Sequence, residues 1–223
     1  MTRVLEAGRA GAAKGEAERL VIFLHGYGAN GADLLGLAEP LAPHMPGTAF
    51  LSPDAPEACA GVPFGYQWFP IPWIDGSSEE QSEAGMMRAV DDLNAWLDRV
   101  AEDEGVGPRQ TILLGFSQGT MMALHVGARR APAYAGIVGF SGRLLAPELL
   151  ADEMVARPPV LLVHGDADDV VPPEALPEAG NALSAAGFDV YAHIMKGTGH
   201  GIAPDGLSVA LAFMRERLGI LPG

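Results

Sequence analysis

The sequence predicts an α/β fold built on a mainly parallel sheet of about seven strands, with helices on both faces. One observation is that short apolar runs alternate with helical patterns along the chain, which is typical of consecutive β-α-β units. A second is that the runs, such as residues 20–24, are apolar at every position, as expected for strands buried on both faces of a parallel sheet. Ligands of such sheets bind beyond the carboxyl ends of the strands, so the residues that follow each run are the candidates for function.

The first half of the chain begins with three predicted strands. Residues 8–18 are rich in glycine, alanine and charge, and we expect them to form a surface loop after a short first strand. Strands are predicted at 20–24 and 48–51, separated by a helix over about 32–41 that Pro43 closes.

A long helix is predicted over about 79–104, with Ser77 or Ser78 as its cap. Five apolar residues recur in it at helical spacing and define its expected buried face: Met87, Val90, Leu93, Leu97 and Val100.

The second half continues the alternation to the end of the chain. Its predicted elements are a strand at 110–114, a helix at 120–126, strands at 135–140 and 159–163, a helix at 173–186, a strand at 189–195 and a closing amphipathic helix at 205–218.

Length and composition indicate one globular domain over residues 1–223. Hydrophobic residues make up 48% of the chain and charged residues 19%, which is enough apolar material for a sizeable core and excludes a largely disordered protein. Many α/β domains of this length form a single unit.

Charge and cysteine usage exclude several function classes. The formal net charge of −14 disfavours nucleic acids and stable association with anionic membranes, because both select basic surfaces. The lone Cys59 excludes an internal disulfide, and the absence of a Cys/His cluster at zinc spacing argues against a metal. No run approaches a membrane span and the first residues lack a signal-peptide pattern, so a cytoplasmic location is expected.

The most informative stretch is Gly115-Phe116-Ser117-Gln118-Gly119, which joins a predicted strand to a predicted helix. In that context a G-x-S-x-G turn is the nucleophile elbow: glycines allow close backbone approach, and the serine hydroxyl is held clear of the sheet.

Two other strand ends carry the groups that a serine nucleophile needs. An acidic cluster spans residues 166–169, where Asp166, Asp168 and Asp169 compete for one role, and His200 follows the last predicted strand. A histidine removes the serine proton, and a carboxylate fixes the histidine tautomer and stabilises its charge.

Four motifs in order resemble the carboxylesterase/phospholipase family, which includes acyl-protein thioesterases and has the α/β-hydrolase fold. They are Leu24-His25-Gly26-Tyr27-Gly28, the elbow, His164-Gly165-Asp166-Ala167-Asp168 with Val170-Val171-Pro172, and Gly199-His200. The resemblance implies a catalytic triad of Ser117, Asp168 and His200 that needs no cofactor. It also implies an oxyanion hole formed by the backbone N–H groups of Tyr27 and Gln118, although family members commonly have leucine or a similar apolar residue where this chain has Tyr27.

We therefore expect a serine hydrolase that cleaves carboxylic esters of short-to-medium acyl chains. Acyl-protein thioesterase or lysophospholipase activity is the alternative, since all three use the same triad. The alternative from another class is a non-catalytic relative that binds a ligand. The expected partner is a small-molecule ester or thioester, and a homodimer is compatible with the sequence.

Residues 61–76 are expected to form one wall of the acyl pocket, with Trp68, Phe69 and Trp73 as substrate-binding residues. The segment follows the strand at 48–51 and is rich in aromatic residues and proline. The alternative is that its rings plug the core beside the long helix. The remaining histidines are expected to be structural: His44, His125 and His193, with His25 and His164 shaping turns.

Overall fold

The computed structural model describes residues 2–59 and 61–220. The strands and helices lie, in chain order, at β1 Ala7–Gly11, β2 Arg19–Leu24, α1 Gly31–Leu35, α2 Ala38–Leu41, β3 Thr48–Pro53, β4 Glu57–Ala58, β5 Tyr66–Gln67, α3 Pro72–Asp75, α4 Glu79–Glu104, β6 Thr111–Phe116, α5 Gln118–Ala128, β7 Gly136–Phe140, α6 Leu150–Glu153, β8 Val160–Gly165, α7 Ala175–Ala185, β9 Val190–Met195 and α8 Pro204–Arg217.

A seven-stranded sheet in the order β1-β3-β2-β6-β7-β8-β9 forms the centre of the molecule. Strand β1 is antiparallel to β3, and every other pairing in this sheet is parallel. The predicted fold class, a mainly parallel sheet with helices, is confirmed.

The core has two parts, one on each face of the sheet. Successive residues of β2 alternate between them: Leu20 and Ile22 belong to one cluster, and Val21 and Phe23 to the other. Helices α4, α5 and α7 cover the first cluster, whereas α1, α2 and α8 cover the second. A strand buried on both faces needs apolar residues at every position, which explains the continuous apolar runs.

Three details differ from the sequence-based prediction. Residues 8–18 are not simply a loop, because β1 occupies Ala7–Gly11 and pairs with β3 despite its small residues. The predicted helix over 32–41 is divided into α1 and α2 at Gly36, a residue of low helix propensity.

The third difference is on helix α4, where Met87 is 56% exposed instead of buried. The buried face follows Gly85, Ala89, Leu93 and Leu97, a stripe of four-residue steps that leaves Met87 on another side of the helix.

Candidate active site

Ser117 occupies a sharp turn between strand β6 and helix α5. Its backbone angles are φ 54° and ψ −116°, a conformation that is rare for a residue with a side chain. Its N–H donates to Phe140 O of the neighbouring strand at 2.8 Å, while its carbonyl accepts from Thr120 N at 3.0 Å. The surrounding structure thus holds a strained turn, as is common at functional sites.

Two glycines make this turn sterically feasible. A Cβ atom at Gly119 would collide with the carbonyl of Leu24, and one at Gly115 would collide with the backbone of Gly119. The G-x-S-x-G pattern is therefore required by the close approach of α5 to the strands β2 and β6.

The loop after β2 lies directly against the serine. A Cβ atom placed on Gly26 would be 3.2 Å from Ser117 Cβ. Tyr27 follows in this loop, and Gln118 is the first residue of α5. Within the described part of the chain, the N–H groups of Tyr27 and Gln118 donate no hydrogen bond, so both remain available to an acceptor.

The phenol of Tyr27 faces the segment that contains residues 61–76. Burial, followed by the nearby Cys59 and Asp75, raises the pKa of Tyr27 to about 12. The phenol is therefore neutral at physiological pH, and its polar neighbours are Cys59 and, within this segment, Asp75.

Asp168 and His200 are joined by a direct hydrogen bond. His200 Nδ1 donates to Asp168 Oδ2 at 2.8 Å, while the N–H groups of Val170 and Val171 each donate to Oδ1 at 2.9 Å. Burial alone would raise the pKa of Asp168, but the hydrogen bonds from His200 and the two backbone groups outweigh it and lower the pKa. Asp168 is thus a buried, ionised carboxylate aimed at His200.

The other two aspartates of the cluster have different surroundings. Asp166 Oδ1 accepts from Gly197 N at 2.6 Å, which ties the loop after β8 to the loop after β9. Asp169 is exposed to solvent. Of the three candidates for the acid, Asp168 is the one that contacts the histidine.

His200 lies beside the turn that carries Ser117, because its ring packs against that of Phe116. The Phe116 ring, one residue before the serine, lies 4.9 Å from the imidazole of His200 between ring centroids. Among the described residues, no hydrogen bond joins Ser117 to His200. Such bonds are often long in unliganded enzymes and shorten when substrate binds.

Segment 61–76 divides its aromatic residues between the core and the solvent. Trp68 has no exposed surface and Phe69 is also buried, whereas Trp73 is 74% exposed. The buried position of Trp68 corresponds to the alternative in which this ring plugs the core. The large apolar side chains of the segment that are exposed, and so offer apolar surface to a ligand, are Val62, Phe64, Trp73 and Ile74.

Two buried histidines outside the predicted triad have defined partners. His25 Nδ1 donates to Gly26 O at 2.8 Å and its Nε2 accepts from Ala55 N at 2.9 Å, and burial lowers its pKa. His164 Nε2 lies 2.9 Å from Val171 O and 3.3 Å from Asp168 Oδ2.

From the sequence, His164 is expected only to shape a turn, and its contact with Asp168 is not predicted. The signal in the sequence is the spacing, because His164 near the end of β8 lies four residues before Asp168 in the loop that follows.

No group of three or more His, Cys, Asp or Glu side chains in the described ranges is arranged to hold a metal ion. Within the same ranges, none of the helices has the length and apolar character to span a membrane.

Comparisons with known proteins show the family to which the chain belongs. Residues 9–218 match the family model described as Phospholipase/Carboxylesterase. The chain is similar to acyl-protein thioesterase 1 of Gibberella zeae, at 28% identity over 211 residues that cover 89% of this chain and 90% of the relative. It is also similar to esterase YpfH of Escherichia coli, at 29% identity over 201 residues that cover 89% of this chain and 83% of the relative.

A solved structure, that of esterase PE8, matches with a TM-score of 0.91 at 44% sequence identity. The match covers 97% of this chain and 100% of that chain.

Proposed function

Because the chain belongs to the phospholipase/carboxylesterase family of hydrolases, we propose that it is a serine esterase that cleaves carboxylic esters of short-to-medium acyl chains through an acyl-enzyme. The observation that carries the proposal is the 2.8 Å hydrogen bond between His200 Nδ1 and Asp168 Oδ2. It lies at the carboxyl ends of the parallel strands, where Ser117 also lies. Esterases among the similar proteins support the choice of ester.

In the proposed reaction, Ser117 Oγ attacks the carbonyl carbon of the ester while His200 Nε2 takes the hydroxyl proton. Asp168 holds the imidazole through Nδ1 and stabilises its positive charge. The negative oxygen of the tetrahedral intermediate accepts from the N–H groups of Tyr27 and Gln118. When this intermediate collapses, the C–O bond to the alcohol breaks, and His200 gives its proton to the departing oxygen.

The second half of the reaction repeats these roles with water. His200 removes a proton from a water molecule, the resulting hydroxide attacks the acyl-enzyme, and the acid leaves as Ser117 regains its proton. None of these steps calls for a metal or an organic cofactor.

The proposal is tested by the turnover of p-nitrophenyl esters from C2 to C12. Wild-type protein should show a maximum among the short-to-medium chains, and Ser117→Ala should lose several orders of magnitude in kcat with its fold intact. Ser208→Ala is a matched control, because it removes an exposed hydroxyl that bonds Pro204 O within helix α8. Retention of more than about a tenth of the wild-type turnover by folded Ser117→Ala would end the assignment.

A second candidate is hydrolysis of acyl thioesters, which the similarity to acyl-protein thioesterase 1 favours. The mechanism is the same, with a thiol as the leaving group. Comparing kcat/KM for an ester and a thioester of one acyl chain separates the two, and a lysophospholipid assayed in parallel tests the remaining alternative of that class.

A further inference from the structure

The backbone of Trp68 and Phe69 lies between the loop after β2, which carries the N–H of Tyr27, and the start of helix α5, which carries the N–H of Gln118. On one side, the indole Nε1 of Trp68 donates to His25 O at 2.9 Å. On the other side, Trp68 N donates to the side-chain Oε1 of Gln118 at 2.9 Å, and Gln118 Nε2 donates to Phe69 O at 2.8 Å. We call these two contacts of the Gln118 side chain the amide bridge.

The amide bridge has a single chemical orientation. A backbone N–H can only donate and a backbone carbonyl can only accept, so Oε1 of Gln118 must face Trp68 N and Nε2 must face Phe69 O. Both Gln118 and Trp68 are fully buried. Water cannot replace a lost partner there without rearrangement. Removing one partner of either bond therefore leaves a buried polar group unsatisfied, which lowers the stability of the native arrangement.

Tyr66, two residues before Trp68, forms further hydrogen bonds to the loop after β2. Gly28 N donates to Tyr66 O at 2.9 Å, and Tyr66 N donates to Ala29 O at 2.8 Å. Together with the indole bond to His25 O, these contacts hold the backbone on both sides of Tyr27. The amide bridge then connects this unit to the first residue of α5.

We propose that Gln118 is a positioning residue. Its side chain sets the distance and relative orientation of two backbone N–H groups, that of Tyr27 and that of Gln118 itself. The inference rests on the proposed function, in which these two groups stabilise the oxyanion. Donors that act on a transition state must be oriented in advance, and a displacement of about 1 Å costs up to about 100-fold in rate. Gln118 thus has two roles: its backbone is a donor, and its side chain aligns the other donor.

The test is Gln118→Met, which keeps the backbone N–H and the approximate volume of the side chain but removes the amide bridge. We expect kcat to fall roughly 10- to 100-fold while KM changes less than about threefold, because the loss is confined to the transition state. The inhibition constant of an alkyl trifluoromethyl ketone, which forms a tetrahedral adduct with the serine, should rise by a similar factor.

Thr111→Val is the matched control for loss of a buried hydrogen bond. Thr111 is buried at the other end of β6, and its hydroxyl donates to Gly107 O at 3.0 Å. This variant should lower the melting temperature while kcat and the ketone affinity stay near wild type. If Gln118→Met does not fold, Gln118→Asn, whose shorter side chain cannot reach both Trp68 N and Phe69 O, should produce the same pattern of kinetic loss.

The possible outcomes separate this inference from the proposed function. If wild-type protein neither turns over esters nor binds the ketone, the proposed function fails. If the wild type is active and a folded Gln118→Met variant keeps kcat and ketone affinity within about threefold, the amide bridge is only structural and the inference is overturned.

Discussion

Nε2 of His164 lies 3.3 Å from Oδ2 of Asp168, the same carboxylate oxygen that accepts the hydrogen bond of His200. Because Val171 O accepts at Nε2 of His164 and a carbonyl cannot donate, this nitrogen carries a proton. Asp168 is therefore surrounded by N–H groups from His164, His200, Val170 and Val171. These contacts hold the carboxylate in the orientation that His200 requires.

Asp168→Asn is predicted to reduce kcat by about 10⁴, the size of loss found when the acid of a serine-protease triad becomes an amide. An amide cannot stabilise the imidazolium that forms on His200. The measurement is kcat for a p-nitrophenyl ester, with the fold checked by circular dichroism. Asp169→Asn is the control, since Asp169 is exposed. A larger loss in Asp169→Asn than in Asp168→Asn would contradict the assignment of the acid.

His125 is predicted to make the stability of the protein depend on pH. Burial lowers its pKa from 6.5 to about 4, and its Nδ1 has no hydrogen-bond partner among the described residues. Between these two pH values the unfolded chain binds a proton that the folded chain does not, so the free energy of unfolding falls as the pH falls from 6.5 to about 4. This loss of stability is absent above pH 6.5 and reaches about 3 kcal/mol at and below pH 4.

His125→Leu should reduce this pH dependence, as measured by urea denaturation at pH 7 and pH 4.5. A smaller dependence should remain, because burial also lowers the pKa of His25. If wild type and His125→Leu lose the same free energy of unfolding between the two pH values, His125 is not responsible.

Gly119→Ala is predicted to prevent formation of the native elbow. The added Cβ would collide with the carbonyl of Leu24, which belongs to the central strand β2 and cannot move aside cheaply. We expect a protein that is unfolded or lacks esterase activity, measured by melting temperature and turnover. Gly107→Ala is the matched control, because a Cβ at Gly107 has no neighbour within 4 Å. A Gly119→Ala protein with wild-type stability and activity would show that the packing at the elbow is described incorrectly.

The two tryptophans of segment 61–76 are predicted to respond oppositely to alanine. Trp68→Ala should cost roughly 3–5 kcal/mol of stability, because the ring is fully buried. Trp73→Ala should leave the melting temperature nearly unchanged, since the ring is exposed, and should shift the preference among C2, C4, C8 and C12 esters. An unchanged length profile in Trp73→Ala would remove this residue from the acyl-binding wall.

The central strands could be predicted from the sequence because burial on both faces imposes an apolar residue at every position. The motif around Ser117 could also be recognised in the sequence, since the close backbone approach at this turn requires glycine at positions 115 and 119. Strand β1 could not be predicted in the same way, because its small residues become a strand only through pairing with β3.

Contacts between distant parts of the chain account for the other missed features. The bonds between Gln118 and residues 68–69 join positions about 50 apart in the sequence, and nothing in the local pattern announces them. For the same reason, the composition of segment 61–76 does not predict which of its tryptophans is buried in the core. The choice between Trp68 and Trp73 depends on how an irregular segment packs against β2 and α5.

The identity of the residue modified by a fluorophosphonate probe tests the central proposal most directly. The probe forms a covalent bond to an activated serine, and the adduct can be located by mass spectrometry of the digested protein. We predict one adduct per chain, on Ser117, that is lost in His200→Ala although the serine is still present. Two results would contradict it. One is an active protein that, after treatment with the probe, carries no adduct on Ser117; the other is an adduct on a different serine that abolishes turnover.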